Sequence, residues 1–97
     1  METTFKLTTA SIEKRCRPPS EGERKPNGTL VAEHWYRDTE LRGFFLKVSR
    51  SGRRTFAVQK SHRGKTVRVT IGQYPTWTPD QARRRARELI QEIDRGI

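Results

Sequence analysis

Ninety-seven residues suffice for one small domain and not two, and with 31% hydrophobic residues its core must be compact. A formal charge of +10 points to a polyanionic partner, nucleic acid foremost. A membrane partner is excluded: no apolar run approaches the roughly 20 residues of a span, and Met1–Thr4 lacks the basic and apolar regions of a signal peptide.

Cys16 is the only cysteine, so neither an intrachain disulfide nor a Cys-based zinc site can form. A lone thiol fits a reducing, intracellular compartment, and a cytoplasmic location is expected. No metal or other cofactor and no small-molecule substrate is implied. His34 and His62 stand apart from any nucleophile or carboxylate cluster, so no catalytic residue is assigned and the chain reads as a binding domain rather than an enzyme.

In chain order, residues 1–17 form an N-terminal segment. Its pattern predicts a short helix from Leu7 to Cys16, with Thr8 as N-cap, Leu7, Ile12 and Cys16 as buried points, and Pro18-Pro19 as the stop. Residues 18–29 are Pro, Gly, Ser, Asn and charged residues with no large apolar side chain, which predicts a flexible loop. Residues 30–97 hold the sheet-plus-helix part. Leu30–Asp38 recovers apolar content and suggests an extra first strand.

Leu41–Pro79 carries nine Lys or Arg and no Asp or Glu, so nearly all the excess charge lies there. It reads as three short antiparallel strands, Phe44–Ser49, Thr55–Lys60 and Thr66–Gly72, joined by five-residue links that each contain one Gly. Alternation puts Phe44, Leu46, Val48, Phe56, Val58, Val67, Val69 and Ile71 on a core face. The opposite face receives Lys47, Ser49, Ala57, Gln59, Thr66, Arg68 and Thr70. It also receives Phe45, a large ring that either packs at the rim or stacks near a ligand.

Gly72–Trp77 is a connector whose two aromatics wedge between sheet and helix. Thr78-Pro79-Asp80-Gln81 is a capping box with Pro at the first helical position, opening a helix to about Asp94 with Gly96 as its stop. Ala82, Ala86, Leu89, Ile90 and Ile93 form its apolar stripe. Arg83 and Arg85 flank that stripe, and the run Arg83–Arg87 reads as a solvated face. The expected fold is thus α+β: a three-stranded antiparallel sheet packed on one C-terminal helix, its other face open.

A bland account of that face, in which charges merely keep strands soluble, predicts mixed signs; a stretch with bases and no acid favours a binding function. A two- or three-stranded ribbon fits the major groove of DNA, where Arg and Lys meet guanine and Gln meets adenine. Lys47, Gln59 and Arg68 suit that role. Ser49, Thr66 and Thr70 suit phosphates or bases. Arg53, Arg54, Arg63 and Lys65, at the hairpin tips, suit the phosphate backbone.

The ordered motifs Asp38-Thr39-Glu40-Leu41-Arg42-Gly43-Phe44, Leu46-Lys47-Val48, Ser51-Gly52-Arg53-Arg54-Thr55-Phe56, Thr70-Ile71-Gly72-Gln73-Tyr74-Pro75 and Ala82-Arg83-Arg84-Arg85-Ala86 resemble the arm-type DNA-binding domain of phage and genomic-island tyrosine recombinases, the integrases. The resemblance covers most of the chain. It implies a small domain whose sheet enters the major groove of arm-site repeats, with DNA cutting left to a separate catalytic domain. The partners it implies are double-stranded DNA and other recombinase subunits. Two rival readings remain at this point: duplex RNA binding by shape, and a protein-interaction module of a recombination complex.

Overall fold

In the computed structural model, which describes residues 3–96, the elements follow the order α1 (Thr9–Arg15), β1 (Glu33–Arg37), β2 (Phe44–Ser49), β3 (Arg54–His62), β4 (Lys65–Gln73) and α2 (Pro79–Asp94). The four strands form one antiparallel sheet in the order β1-β2-β3-β4, a simple meander. The fold class is α+β as expected, with two differences in the count. The suggested first strand is present, shortened to Glu33–Arg37, while Leu30 is exposed. The short N-terminal helix predicted between Leu7 and Cys16 is likewise present, as α1, and joins α2 in the core.

Local chemistry explains the element ends. Thr8 accepts from the backbone N–H of Ser11, and the Ser11 hydroxyl accepts from the Thr8 N–H, a reciprocal cap that starts a helix too short to persist alone. Thr78 and Gln81 form the same reciprocal pair ahead of Pro79. The β3–β4 link is tighter than the predicted five residues. His62 pairs with Lys65, leaving only Arg63 and Gly64 in the turn, with φ of 52° and 80°. Both values are positive, the geometry that matches the natural strand twist. Gly43, at φ 93°, is required for another reason: a Cβ there would lie 2.8 Å from the Gln59 carbonyl oxygen.

The register confirms the core face. Phe44, Leu46 and Val48 pack with Phe56 and Val58, while Tyr36 from β1, Ala82, Ala86, Leu89 and Ile93 from α2, and Leu7, Ile12 and Cys16 from the N-terminal segment join them. Val67, Val69 and Ile71 are half-buried against this cluster. A bulge at Ile71 breaks the β3–β4 ladder, so that Phe56 faces Gly72 but Ala57 faces Thr70. Trp77 lies directly over Gly72, where a Cβ would come within 2.3 Å of its ring. Burial pushes the Cys16 thiol up to about 12.

One core contact departs from the sequence reading. Arg83, expected to flank the helix stripe within a solvated run, is 3% exposed. Its guanidinium grips Asp38 in a fork, Nε to Oδ2 at 3.0 Å and Nη2 to Oδ1 at 3.1 Å, and Nη2 also donates to the Leu7 carbonyl at 2.6 Å. The Asp38 carboxylate further accepts the Leu7 and Leu41 backbone N–H groups, each at 2.9 Å. Burial alone would push the Asp38 carboxyl up. The Arg83 fork and the two amides outweigh it and hold the group below the usual carboxylate range.

Removing one partner of a buried, hydrogen-bonded pair leaves an uncompensated charge, so Arg83→Ala is expected to lower the unfolding free energy by about 3–5 kcal/mol, measured by denaturant titration. The pH dependence has a definite sign. Because the folded Asp38 titrates below its unfolded value of about 3.9, its contribution is complete above that value and is lost as pH falls through the folded one. Asp38→Asn should therefore be less stable at neutral pH and should lose less stability on acidification than the parent chain. Identical acid limbs for the two proteins would contradict the assignment.

Candidate nucleic-acid interface

With both helices and the N-terminal segment on one side, the other side of the sheet is uncovered. Its surface is built by alternation from Glu33, Trp35 and Arg37 on β1, Phe45, Lys47 and Ser49 on β2, Thr55, Ala57, Gln59 and Ser61 on β3, and Thr66, Arg68 and Thr70 on β4. Glu33 is the one acid among these residues, and its carboxylate accepts from the Trp35 indole N–H at 2.7 Å.

The remaining acids lie elsewhere. Asp38, Glu40 and Asp80 surround Arg83, and Glu40 also pairs with Lys6 and Arg87. Glu88 pairs with Arg85 along α2, Glu13 with Arg54, and Asp94 with Lys60. Several acids are thus paired on the helix side and at its seam with the sheet, while the open face holds Arg37, Lys47 and Arg68 against one acid, Glu33.

On the β1–β2 side of the open face lies an aromatic stack. The Trp35 ring covers Phe45 at 4.4 Å between centroids, with an interplanar angle of 14°. That contact settles the two alternatives for Phe45: the ring is 3% exposed, buried under Trp35. The guanidinium of Arg68 lies 4.6 Å from the Trp35 centroid, and that of Arg37 at 5.9 Å. Arg68 also donates from Nε and Nη2 to the Gln59 side-chain oxygen, at 3.1 and 2.9 Å, across the β3–β4 pair.

The residues singled out from sequence fall into three groups. Lys47, Gln59, Thr66, Arg68 and Thr70 share the open face. Arg53, Arg63 and Lys65 stand exposed at the two tips on that sheet's ends. Ser49 and Arg54 are otherwise engaged. The Ser49 hydroxyl bonds Ser51 at 2.8 Å and accepts the Arg53 N–H at 3.2 Å, closing the β2–β3 turn.

Arg54 is not at the tip but is the first residue of β3, paired with Val48 and turned toward the core face. There it donates to the Cys16 carbonyl from Nε at 3.3 Å and Nη2 at 3.2 Å, and lies 5.8 Å from the Tyr74 ring centroid. The position expected for Arg54 is corrected by this contact with the end of α1. Arg50 is likewise engaged, donating to the Ser20 and Glu23 carbonyls at 3.0 and 2.9 Å and tying the 18–29 loop to the β2–β3 turn. In the same loop Glu23 bonds His34 Nε2 at 2.6 Å, and this bond holds its carboxyl below the usual range.

Sequence reasoning missed Trp35 and Arg37. The parity that places Phe45 outward places both beside it once Glu33–Arg37 is taken as a strand. Among the described residues, no group of three or more His, Cys, Asp or Glu is arranged to hold a metal ion, and no helix is long and apolar enough to cross a membrane.

A family model described as an arm DNA-binding domain matches residues 7–97. The chain is also 47% identical over 47 residues to the prophage integrase IntF of Escherichia coli (strain K12), a match covering 48% of this chain and 10% of that relative.

The engaged and exposed arginines are separable by experiment. Arg54→Ala removes charge-assisted bonds to a carbonyl and is expected to cost about 1–2 kcal/mol of stability, seen as a lower denaturation midpoint. Arg53→Ala, at an exposed tip, should change that midpoint by no more than about 0.5 kcal/mol. Equal effects would place the two side chains in equivalent settings and contradict the contact with Cys16.

Proposed function

This chain belongs to the arm DNA-binding domain family, and on that premise we propose that it binds double-stranded DNA sequence-specifically through the open face of its sheet, as part of a site-specific recombinase. The observation that supports this reading most is the open sheet face with its tips, which carries Arg37, Lys47, Arg53, Arg63, Lys65 and Arg68 against one acid, Glu33. A polyanion approaching the sheet from this side meets favourable potential. The integrase that it resembles is named for a recombination enzyme, and cutting chemistry is assigned here to no residue of this chain.

The major groove is about 12 Å wide, and neighbouring strands lie about 4.8 Å apart, so two or three strands enter it side by side. The β3–β4 hairpin, with nine residues in each strand, is the longest projection of the sheet. With it inserted, Arg68, Gln59 and Lys47 face the base edges. Arg53, Arg63 and Lys65 at the tips fall on the phosphate backbones, as does Arg42 in the loop before β2.

Salt dependence measures how many charges take part. Arg50, Arg54 and Lys60 are held by protein carbonyls or by Asp94. The open face and tips therefore present about seven cations (Arg37, Arg42, Lys47, Arg53, Arg63, Lys65 and Arg68), and the log–log slope of affinity against salt should be no steeper than about −6. The division of labour on the sheet is tested by two variants on cognate and scrambled duplexes. Arg68→Ala should cost roughly 1–3 kcal/mol on the preferred site and relax preference at one base pair. Arg53→Ala should weaken all duplexes about equally and reduce the slope by about one. A slope near zero, or stronger binding to duplex RNA of equal length, would overturn the reading.

A further inference from the structure

We propose that Gln59, Arg68 and Trp35 act as one unit that presents only hydrogen-bond donors and reads the acceptor edge of a guanine, with Trp35 as the positioning residue. This rests on the reading that the open sheet face binds duplex DNA.

The chemistry of Arg68 dictates the orientation of Gln59. A guanidinium has donors and no acceptor, so the atom of Gln59 that faces it must be the amide oxygen. That oxygen receives Nε–H and one Nη2–H of Arg68, at 3.1 and 2.9 Å. One long edge of the guanidinium is thereby occupied. The other edge, formed by Nη1 and the second Nη2–H, has no protein partner among the described residues. Two parallel N–H groups on that edge match the O6 and N7 acceptors of guanine.

Gln59 is changed by the same contact. Bidentate recognition of adenine needs the amide oxygen to accept from N6 while the amide nitrogen donates to N7. Here the oxygen is bound to Arg68 and the –NH₂ group remains, so Gln59 offers donors alone. The expectation from sequence, in which Gln meets adenine, is replaced by a donor pair beside a donor fork. The ammonium of Lys47 on β2 adds a third donor-only group to the same face. Glu33, the acid of this face, is turned to the Trp35 indole. Adenine and cytosine both present an amino donor in the major groove and meet no available carboxylate or amide acceptor at this centre.

Trp35 supplies the rigidity. Its ring rests on Phe45 at 4.4 Å and supports the Arg68 guanidinium at 4.6 Å, so the long side chain is fixed by a ring beside it and an amide at its edge. Ordering an arginine before contact removes part of the entropic cost of binding, and a fixed fork discriminates where a mobile one only attracts.

The test begins by selecting sites for the wild-type protein from a random-sequence duplex library. The expected site contains one guanine whose replacement by 7-deazaguanine, which lacks the N7 acceptor, weakens binding about five- to hundred-fold. Trp35→Leu keeps apolar cover over Phe45 but loses the π-face, and it should relax preference at that same base pair while leaving the salt slope unchanged. Trp35→Phe should retain the preference. The double variant Trp35→Leu/Arg68→Ala should discriminate no worse than Arg68→Ala alone, because both act through one contact.

A wild type that binds no duplex selectively would overturn the DNA-binding reading, and this inference with it. A selective wild type indifferent to 7-deazaguanine, or a folded Trp35→Leu that keeps full preference or weakens all sequences alike, would overturn this inference only. Should Trp35→Leu fail to fold, the 7-deazaguanine and Trp35→Phe measurements decide it: loss of preference in Trp35→Phe, or no effect of the missing N7, counts against the unit.

Discussion

The buried ion pair between Asp38 and Arg83 is the constraint on which the arrangement depends. Asp38 lies just past β1, Arg83 one turn into α2, and the Leu7 backbone bonds both. Three stretches far apart in sequence are thereby clamped at one point: the N-terminal segment, the loop before β2, and the second helix. A buried ion pair is seldom a net source of stability compared with apolar packing, since desolvation offsets much of the attraction. Its value here is geometric. A two-toothed fork between planar groups fixes angle as well as distance, so α2 lies across the sheet in one orientation. Its small Ala82 and Ala86 then meet the core, and Arg84 and Arg87 face outward.

That clamp also settles which side of the sheet stays uncovered. The N-terminal residues run beside β1, where the Phe5 N–H donates to the Arg37 carbonyl at 3.0 Å and the Arg37 N–H donates to the Thr3 carbonyl at 2.8 Å. Leu7, Ile12 and Cys16 then descend into the core face that α2 already occupies. Among the described residues no element covers the opposite face, where Phe45 is instead buried under Trp35. A sheet open to water on one side tolerates such a local apolar stack, since two rings cover each other while the rim stays polar. The stack in turn supplies a platform for cationic side chains, which a flat polar surface lacks.

Much of this was legible in the sequence where the signal is local. The β2 boundaries, both N-caps, the α2 limits and the buried trio Leu7, Ile12 and Cys16 all follow from alternation, capping chemistry and helical spacing, each decided by residues within a few positions of one another. What was not legible needs two distant segments at once. Arg83 sits in a run of arginines, and nothing nearby distinguishes it from Arg84; its burial depends on Asp38, 45 positions earlier. Arg54 looks like a tip residue until the end of α1 is brought beside it. Alternation tells which face a side chain takes, and it is silent on what lies across the strands, so Phe45 and Trp35 were not joined. The β3–β4 turn was read too long because Arg63 adopts a positive φ that its side chain does not advertise.

The arginines of this chain show why composition alone is a coarse guide to an interface. Arg83 is a core residue, Arg50 and Arg54 hold carbonyls of the N-terminal segment and its loop, and Arg68 and Arg53 face outward. The same guanidinium serves each purpose, because its five donors satisfy carboxylates, carbonyls and rings alike. A charge of +10 therefore overstates the surface available to a polyanion. The relevant quantity is the set of cations that the fold leaves available on one surface, here the open face and its two tips. Where a cation is partly satisfied, as Arg68 is by Gln59, it loses freedom and gains direction. A side chain with a fixed direction distinguishes one base edge from another, whereas a mobile charge responds only to the backbone that all sequences share.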